Sequence, residues 1–347
     1  MFEAQTGQSP QKIAFLLLPH FSMMAFTSAV EPLRAANRLS GRTLYSWHTA
    51  SIDGKPVHAS NGIALVPDSS FHDELDVKTL FVCAGIRAER FNDQAVFSRL
   101  RELSRRGVAL GGVCTGSLAL ARAGLLAGYR CTIHWENVEG FVEDFPDLHI
   151  TATLFEIDRD RYTCSGGTAP LDMMIHAISC DFGDKLAISV AEQMLHSFVR
   201  QPHDAQRMSI QHRTGISNAK LLAAIAYMEA YLESPASLAE LANSVQLSVR
   251  QLERLFRNHL GTTPTRYYLE LRLRRAQLLL RQTTMPVVQV AVASGFASAS
   301  HFARCYREMF NHAPRAERSQ RASEANHSGR ESSSSSPIGK NSDSATP

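Results

Sequence analysis

Residues 252–264 return in outline at 302–314, fifty positions later. Leu252 matches Phe302, Arg254 matches Arg304, Phe256 matches Tyr306, Arg257 matches Arg307, Leu260 matches Phe310 and Pro264 matches Pro314. A repeat of this size means one supersecondary unit used twice. The longer stretches are LAELANSVQLSVRQLERLFRNHLGTTP (238–264) and VVQVAVASGFASASHFARCYREMFNHAP (287–314). Each reads as a short helix with one apolar face, a tight turn and a longer helix, which is the anatomy of a helix-turn-helix. Residues 264–281 read as a helical spacer of fixed length between the two units.

Ser248 is placed to cap the first long helix, and Ser298 or Ser300 the second. Gly295 supplies the second turn, and Pro286 fits the first turn of the helix before it. The first turn has Gln246 where a small residue is usual. Along 248–260 and 298–310, Leu252, Leu255, Phe256, Phe302, Tyr306 and Met309 share the inward faces. Ser248, Arg250, Gln251, Arg254 and Arg257 lie on the outer face of one helix, and Ser300, His301, Arg304 and Arg307 follow Ser298 on the other. Side chains near the start of such a helix read base edges, where Arg suits guanine and Gln adenine. Later arginines hold phosphates. Two such helices in one chain would enter successive major grooves, about one turn apart.

The charge agrees with a polyanion partner. Residues 1–214 hold 20 Lys/Arg and 23 Asp/Glu, net −3, whereas 215–330 hold 15 and 8, net +7; the last 17 residues add −1, which returns the +3 of the whole chain. A basic segment beside a mildly acidic one points to a nucleic-acid module attached to a different kind of domain.

The stretch 220–320 resembles the DNA-binding domain of the AraC/XylS family of bacterial transcription regulators. AVASGFASASHFARCYR (291–307) carries the most specific part of that likeness. The exit FNHAPRAER (310–318) departs from the FG-x-x-P-x-x-YR that the family often has.

The first two hundred residues alternate instead. Apolar strands are expected at 12–18, 44–52, 62–66, 78–85 and 108–114, with shorter ones near 149–158 and 161–166. Helices are expected at 21–39, 91–107, 116–123, 168–183 and 184–199. Such alternation predicts an α/β domain of flavodoxin-like type, a mostly parallel sheet with helices on both faces, followed by an all-α domain with two helix-turn-helix units. The expected boundaries are 10–202 for the first domain, 203–217 for a linker, 218–320 for the DNA-binding domain and 321–347 for a Ser-rich disordered tail.

Within the first domain, GGVCTG (111–116) puts Cys114 on a turn between a strand and a helix. That is a nucleophile-elbow arrangement, and a thiol at a helix N-terminus is expected to have a lowered pKa. A nucleophilic cysteine also needs a base and an orienting carboxylate. Residues 12–200 resemble the class I glutamine-amidotransferase-like/PfpI superfamily. The resemblance implies a catalytic His directly after the Cys and a Glu on the first helix in its enzymatic members; here those positions hold Thr115 and Ala25. His134 remains as a candidate base. The expectation is therefore no catalytic residue and no enzyme activity, with a cysteine hydrolase or amidotransferase fused to a DNA-binding module as the alternative. A ligand-independent architectural DNA binder is a second rival.

Phe21-Ser22, E-P-L-R-x-A-N (31–37), V-C-T-G (113–116), L-L-x-G-x-x-x-T-x-H-W-E (125–136) and SGGTAPLDMM (165–174) resemble the GlxA-like branch of regulators. The resemblance implies that the elbow is kept as a sensor pocket and that the effector is a small nitrogenous metabolite such as glycine betaine, dimethylglycine, carnitine or arginine. Trp135, with Phe21 or Phe141, would face a cationic nitrogen. Glu31, Glu136 or Glu139 would supply counter-charge, and the amides of Thr115 and Gly116 would hold a carboxylate. Cys114 and His134 complete the candidate pocket. The expected partners are promoter DNA, a zwitterionic effector, RNA polymerase and a second copy of the chain, with activation the expected sign and the cytoplasm the expected location. No metal and no cofactor are expected. The six cysteines show no CxxC pair, no run of 18 apolar residues occurs, and the N-terminus lacks the pattern of a signal peptide.

Overall fold

The computed structural model describes residues 10–317; the expected disordered tail, 321–347, lies outside the described residues. The chain divides into two compact units between Ser209 and Ile210, inside the segment 203–217.

In the first unit, β1 (Gln11–Leu17) is followed by α1 (Met23–Ser40), β2 (Tyr45–Ser51), β3 (Val57–His58), β4 (Ala64–Leu65), β5 (Ser69–Ser70) and β6 (Thr79–Cys83). Then come α2 (Gln94–Arg105), β7 (Ala109–Val113), α3 (Gly116–Arg122), β8 (Arg130–Cys131) and α4 (Val138–Asp144). The unit ends with β9 (His149–Ile150), β10 (Phe155–Asp158), β11 (Arg161–Cys164), α5 (Ala169–Phe182) and α6 (Asp184–Gln193). Seven strands form the main sheet in the order β10-β11-β7-β6-β1-β2-β5. All neighbours run parallel except β10 and β11.

The apolar run of β1 explains its central place. Successive strand side chains point to opposite faces. Ile13, Phe15 and Leu17 enter the core shared with α1, α5 and α6, while Ala14, Leu16 and Leu18 enter the core shared with α2 and α3. A strand covered on both faces has no place for polar residues. The stretch 62–66 differs from the strand expected there: only Ala64–Leu65 is extended, and it pairs with β3 in a separate hairpin. Ile63 and Val66 are exposed, so the run has no second face to bury. The stretch 149–158 likewise divides, with β9 pairing β8 in a ribbon and β10 joining the main sheet.

The second unit is helical: α7 (Ile210–Thr214), α8 (Ala219–Ala230), α9 (Leu238–Ser244), α10 (Val249–Leu260), α11 (Pro264–Gln282), α12 (Val287–Ala293) and α13 (Ala299–Phe310). It has two small cores. Leu221, Ile225, Leu241, Leu252 and Phe256 build one, and Leu279, Val290, Phe302 and Tyr306 the other. The spacer helix α11 contributes Tyr268 to the first and Leu273 onward to the second.

Candidate functional site

Parallel register places four strand ends side by side. Leu17 pairs Cys83, Cys83 pairs Val113, and Val113 pairs Cys164. The sheet order reverses between β1 and β6, and ligands of open α/β sheets bind outside the carboxyl ends at such a reversal. The loops leaving these ends carry Phe21, Gly85, Cys114 and Gly166. Phe21 bridges Gly85, and the Thr115 hydroxyl donates to the Gly85 carbonyl at 2.6 Å.

Cys114 has φ +60°. A non-glycine residue in this region is strained and persists only where its surroundings hold it. Its amide donates to the Cys164 carbonyl at 3.1 Å. Across from it, a Cβ on Gly166 would stand 2.7 Å from the Cys114 Cβ and 2.8 Å from Sγ. Gly166 itself has φ +88°, so both space and backbone require glycine there.

The thiol differs from the expectation of a lowered pKa. Cys114 is 8% exposed, and burial pushes its thiol up to about 11 against the downward pull of the Thr115 amide; the Glu136 carboxylate adds to the rise. Desolvation outweighs the amide and side chain of Thr115 and a helix of only seven residues. At neutral pH roughly one thiol in ten thousand is then a thiolate. Ala25 is buried and carries no titratable group, and the Thr115 hydroxyl is already committed to Gly85. His134 does not serve as a ready base: burial lowers its pKa, and Nδ1 accepts the Glu136 amide at 3.4 Å.

The other pocket candidates separate. Phe21 and Phe141 are core residues, packed on Phe26 and Phe145, so neither offers an open ring face. Thr115 and Gly116 are buried within the elbow, and the Thr115 amide faces the Cys114 sulfur. Glu31 stands on the outer surface of α1, where Arg34 Nη2 approaches it at 2.6 Å. The structure brings Glu136 near Cys114, with His134 and Trp135 on the same loop. Trp135 is 37% exposed, its ring 5.7 Å from that of His134. Glu136 is exposed and near enough to add to the rise at Cys114 and to oppose, without overcoming, the lowering of His134 by burial. The loop is fixed from below, since Ser117 of α3 donates to the Thr132 carbonyl at 2.7 Å and the Thr132 amide donates to Thr163 Oγ1 at 2.9 Å.

Three further groups belong to this edge and were not anticipated. His20, at φ +62°, has its pKa lowered by burial and by the nearby Arg87, His58 and Arg90. Arg87 follows Gly85 by two residues, so cations gather on the loop after β6. Arg207, from the segment read as a linker, lays its guanidinium 4.5 Å from the centre of the Trp135 ring. No sequence motif marks any of the three, because the contacts join loops far apart in sequence. The SGGTAPLDMM motif has a structural use: fully buried Asp172 accepts His196 Nε2 at 2.7 Å and the Arg200 amide at 2.8 Å, and Arg200 Nη2 also reaches Thr168 Oγ1 at 2.7 Å.

In the second unit, α10 and α13 are each twelve residues long. Ser248 Oγ accepts the Gln251 amide, and Gln251 Oε1 in return accepts the Ser248 amide at 2.9 Å, a capping box. Gln251 is thus engaged at the helix start and must leave the box before it can grip an adenine edge. Ser298, not Ser300, caps α13 by accepting the His301 amide at 3.3 Å. Pro286 stands at the N-cap of α12, one residue before its first turn. Arg250, Arg254, Arg257, Ser300, Arg304 and Arg307 are all exposed. Ser248, Arg250, Gln251, Arg254 and Arg257 line a shallow cleft of about 620 Å³ together with Glu253 and Asn258. His301 is turned towards its own helix, with Nε2 3.3 Å from Cys305 Sγ and its ring on Phe296.

The comparisons with known proteins agree with this division. The DJ-1/PfpI family model matches residues 11–179, and the helix-turn-helix domain model matches residues 241–320. The chain is 48% identical over 312 residues to the HTH-type transcriptional regulator GbdR of Pseudomonas aeruginosa, which covers 90% of this chain and 85% of that protein. It is 38% identical over 315 residues to the HTH-type transcriptional regulator GlxA of Rhizobium meliloti, covering 90% and 97%. Among solved structures, an AraC family transcriptional regulator from Pseudomonas putida superposes with a TM-score of 0.50 at 33% identity, over 53% of this chain and 100% of that one.

Proposed function

The chain belongs to the family of HTH-type transcriptional regulators that join a DJ-1/PfpI domain to an AraC-type DNA-binding domain, and from that premise we propose that its α/β unit senses a small nitrogenous zwitterion. One observation carries the reading: the elbow thiol is held protonated, and the exposed loop whose Glu136 carboxylate acts on that thiol also carries Trp135. An aromatic face and a carboxylate suit a quaternary or guanidinium nitrogen. The cations gathered around His20 and Arg87, on the same carboxyl edge of the sheet, suit the carboxylate of that ligand. Glycine betaine, dimethylglycine, carnitine and arginine all carry both ends.

The proposed DNA contacts are the exposed Arg250, Arg254 and Arg257 of α10 and Ser300, Arg304 and Arg307 of α13, with Ser248, Gln251, Ser298 and His301 at the helix starts. The proposed response is activation of transcription with RNA polymerase, by a homodimer in the cytoplasm. It follows the pattern of the family.

A thermal-shift screen tests the sensor. A ligand that binds only the native state stabilises it by about 2.7 kcal/mol at a hundred times its Kd. Glycine betaine, dimethylglycine, carnitine or arginine should raise the Tm of the full chain, with choline as a cation lacking the carboxylate. Cys114→Ser should keep that rise and keep ligand-dependent transcription. If none of the zwitterions raises Tm, the sensor reading fails; if Cys114→Ser abolishes the response while leaving the fold intact, thiol chemistry returns.

A further inference from the structure

The segment after Pro202 lies against the elbow loop. Ala205 bridges Thr153, and Gln206 Nε2 stands 3.0 Å from Thr132 Oγ1, 3.0 Å from the Ile133 carbonyl and 2.7 Å from the Thr153 carbonyl. The next residue, Arg207, covers the face of Trp135. Three consecutive residues therefore fasten this strap to the loop that carries His134, Trp135 and Glu136. Three residues further along the chain, α7 opens the helical unit.

A guanidinium on an indole face is the same chemistry by which an aromatic site recognises a cationic ligand. We propose that residues 204–207 are a latch in which Arg207 occupies the cation seat on Trp135, and that the effector's cationic nitrogen takes this seat and releases the strap. The inference rests on the sensor reading and adds its regulation. Closure is cheap to reverse for two reasons. The Trp135 face is only partly shielded from solvent, and Gln206 Oε1 is buried without a hydrogen-bond partner, which taxes the closed form. Closure is also hard to outcompete with a bare cation, because Arg207 is tethered and acts at high effective concentration. A successful effector needs a second contact, which the carboxylate of a zwitterion provides. The strap then links the two events thermodynamically: a ligand that binds only the open form has an apparent affinity reduced by the open fraction.

The test uses the full chain, with hydrogen exchange of amides 204–209 as one readout and calorimetric binding of glycine betaine, dimethylglycine, carnitine and arginine as the other. Arg207→Gln removes the cation, and Gln206→Ala removes the three polar contacts while leaving the Trp135 face covered. Both should speed exchange at 204–209 in the absence of ligand. A bound zwitterion should speed exchange in the wild type, and Arg207→Gln should bind it about tenfold more tightly if the strap is about nine-tenths closed. Unchanged exchange in Arg207→Gln, a strap still protected at saturation, or equal or weaker binding by Arg207→Gln would each overturn the proposal. No binding of any member of the panel to either protein would sink the sensor reading and the competition with it. Faster exchange in both variants would still establish the latch itself.

Discussion

The two helix-turn-helix units share a sequence pattern but are held differently. From α9 to α12 the offset is 49, since Leu238–Ser244 matches Val287–Ala293, whereas from α10 to α13 it is 50. The extra residue is Ala297, so the second turn is one residue longer. Gln246 and Gly295 are equivalents: each donates its amide three residues back, to Asn243 and to Val292, and each is left-handed, at φ +53° and +76°. The first turn faces open surroundings, where Lys220 Nζ donates to the Gln246 carbonyl at 2.9 Å. The second is pressed into the domain. A Cβ on Gly295 would stand 2.5 Å from the Leu232 carbonyl oxygen and 2.8 Å from Pro235 Cδ. Arg272 donates to the carbonyls of Ser294 and Gly295, at 2.9 and 2.5 Å, and lies over Phe296 at 4.2 Å. The pairing teaches that glycine in one turn and glutamine in the other reflect space as well as φ.

The sharpest break in this comparison is Gly295→Ala. A left-handed alanine costs about 1–2 kcal/mol, and displacing the Leu232 backbone adds about 1–3 kcal/mol of overpacking. Calorimetry should show the helical unit melting several degrees or more below wild type. A wild-type melting point would mean that the second turn is as open as the first. Arg254→Ala and Arg304→Ala probe the proposed DNA faces. Each should weaken promoter binding in a gel shift and, if the arginine holds one phosphate, reduce the salt slope by about 0.9. Arg304 should lose less, because Glu308 stands 3.9 Å away on the same face. No change in either variant would displace α10 and α13 from the major groove. The caps give a smaller contrast. Ser248→Ala breaks a reciprocal box and should cost about 1 kcal/mol, whereas Ser298→Ala removes one bond and should cost about 0.5 kcal/mol. Denaturant midpoints measure both, and equal losses would erase the distinction. Gln246→Gly should change least. Relief of the left-handed strain is offset by the greater freedom of glycine in the unfolded chain, about 0.5–1 kcal/mol each way.

Much of this was legible in the sequence. Periodicity alone separated a βα-alternating region from a helical one, because side-chain spacing follows the backbone repeat whatever lies opposite. The repeat located both long helices; Ser248 marked the start of one, and Ser298 or Ser300 the start of the other, because a cap bonds only three residues ahead. Local reasoning failed where partners come from elsewhere. The strand expected at 62–66 became a side hairpin because no second face was offered to Ile63 and Val66. Phe21 and Phe141 looked like pocket walls and are core.

Short-range pattern is enough to show a strand running into a helix at Cys114 and two basic helices fifty residues apart. What Cys114 is depends on partners that the folded chain brings to it. A helix N-terminus lowers a thiol pKa, but the Gly166 loop closing against the sulfur and the neighbouring Glu136 raise it more, and burial is a property of the assembled sheet edge. The same holds for Trp135, whose face is occupied by an arginine that the chain brings back only after completing the domain.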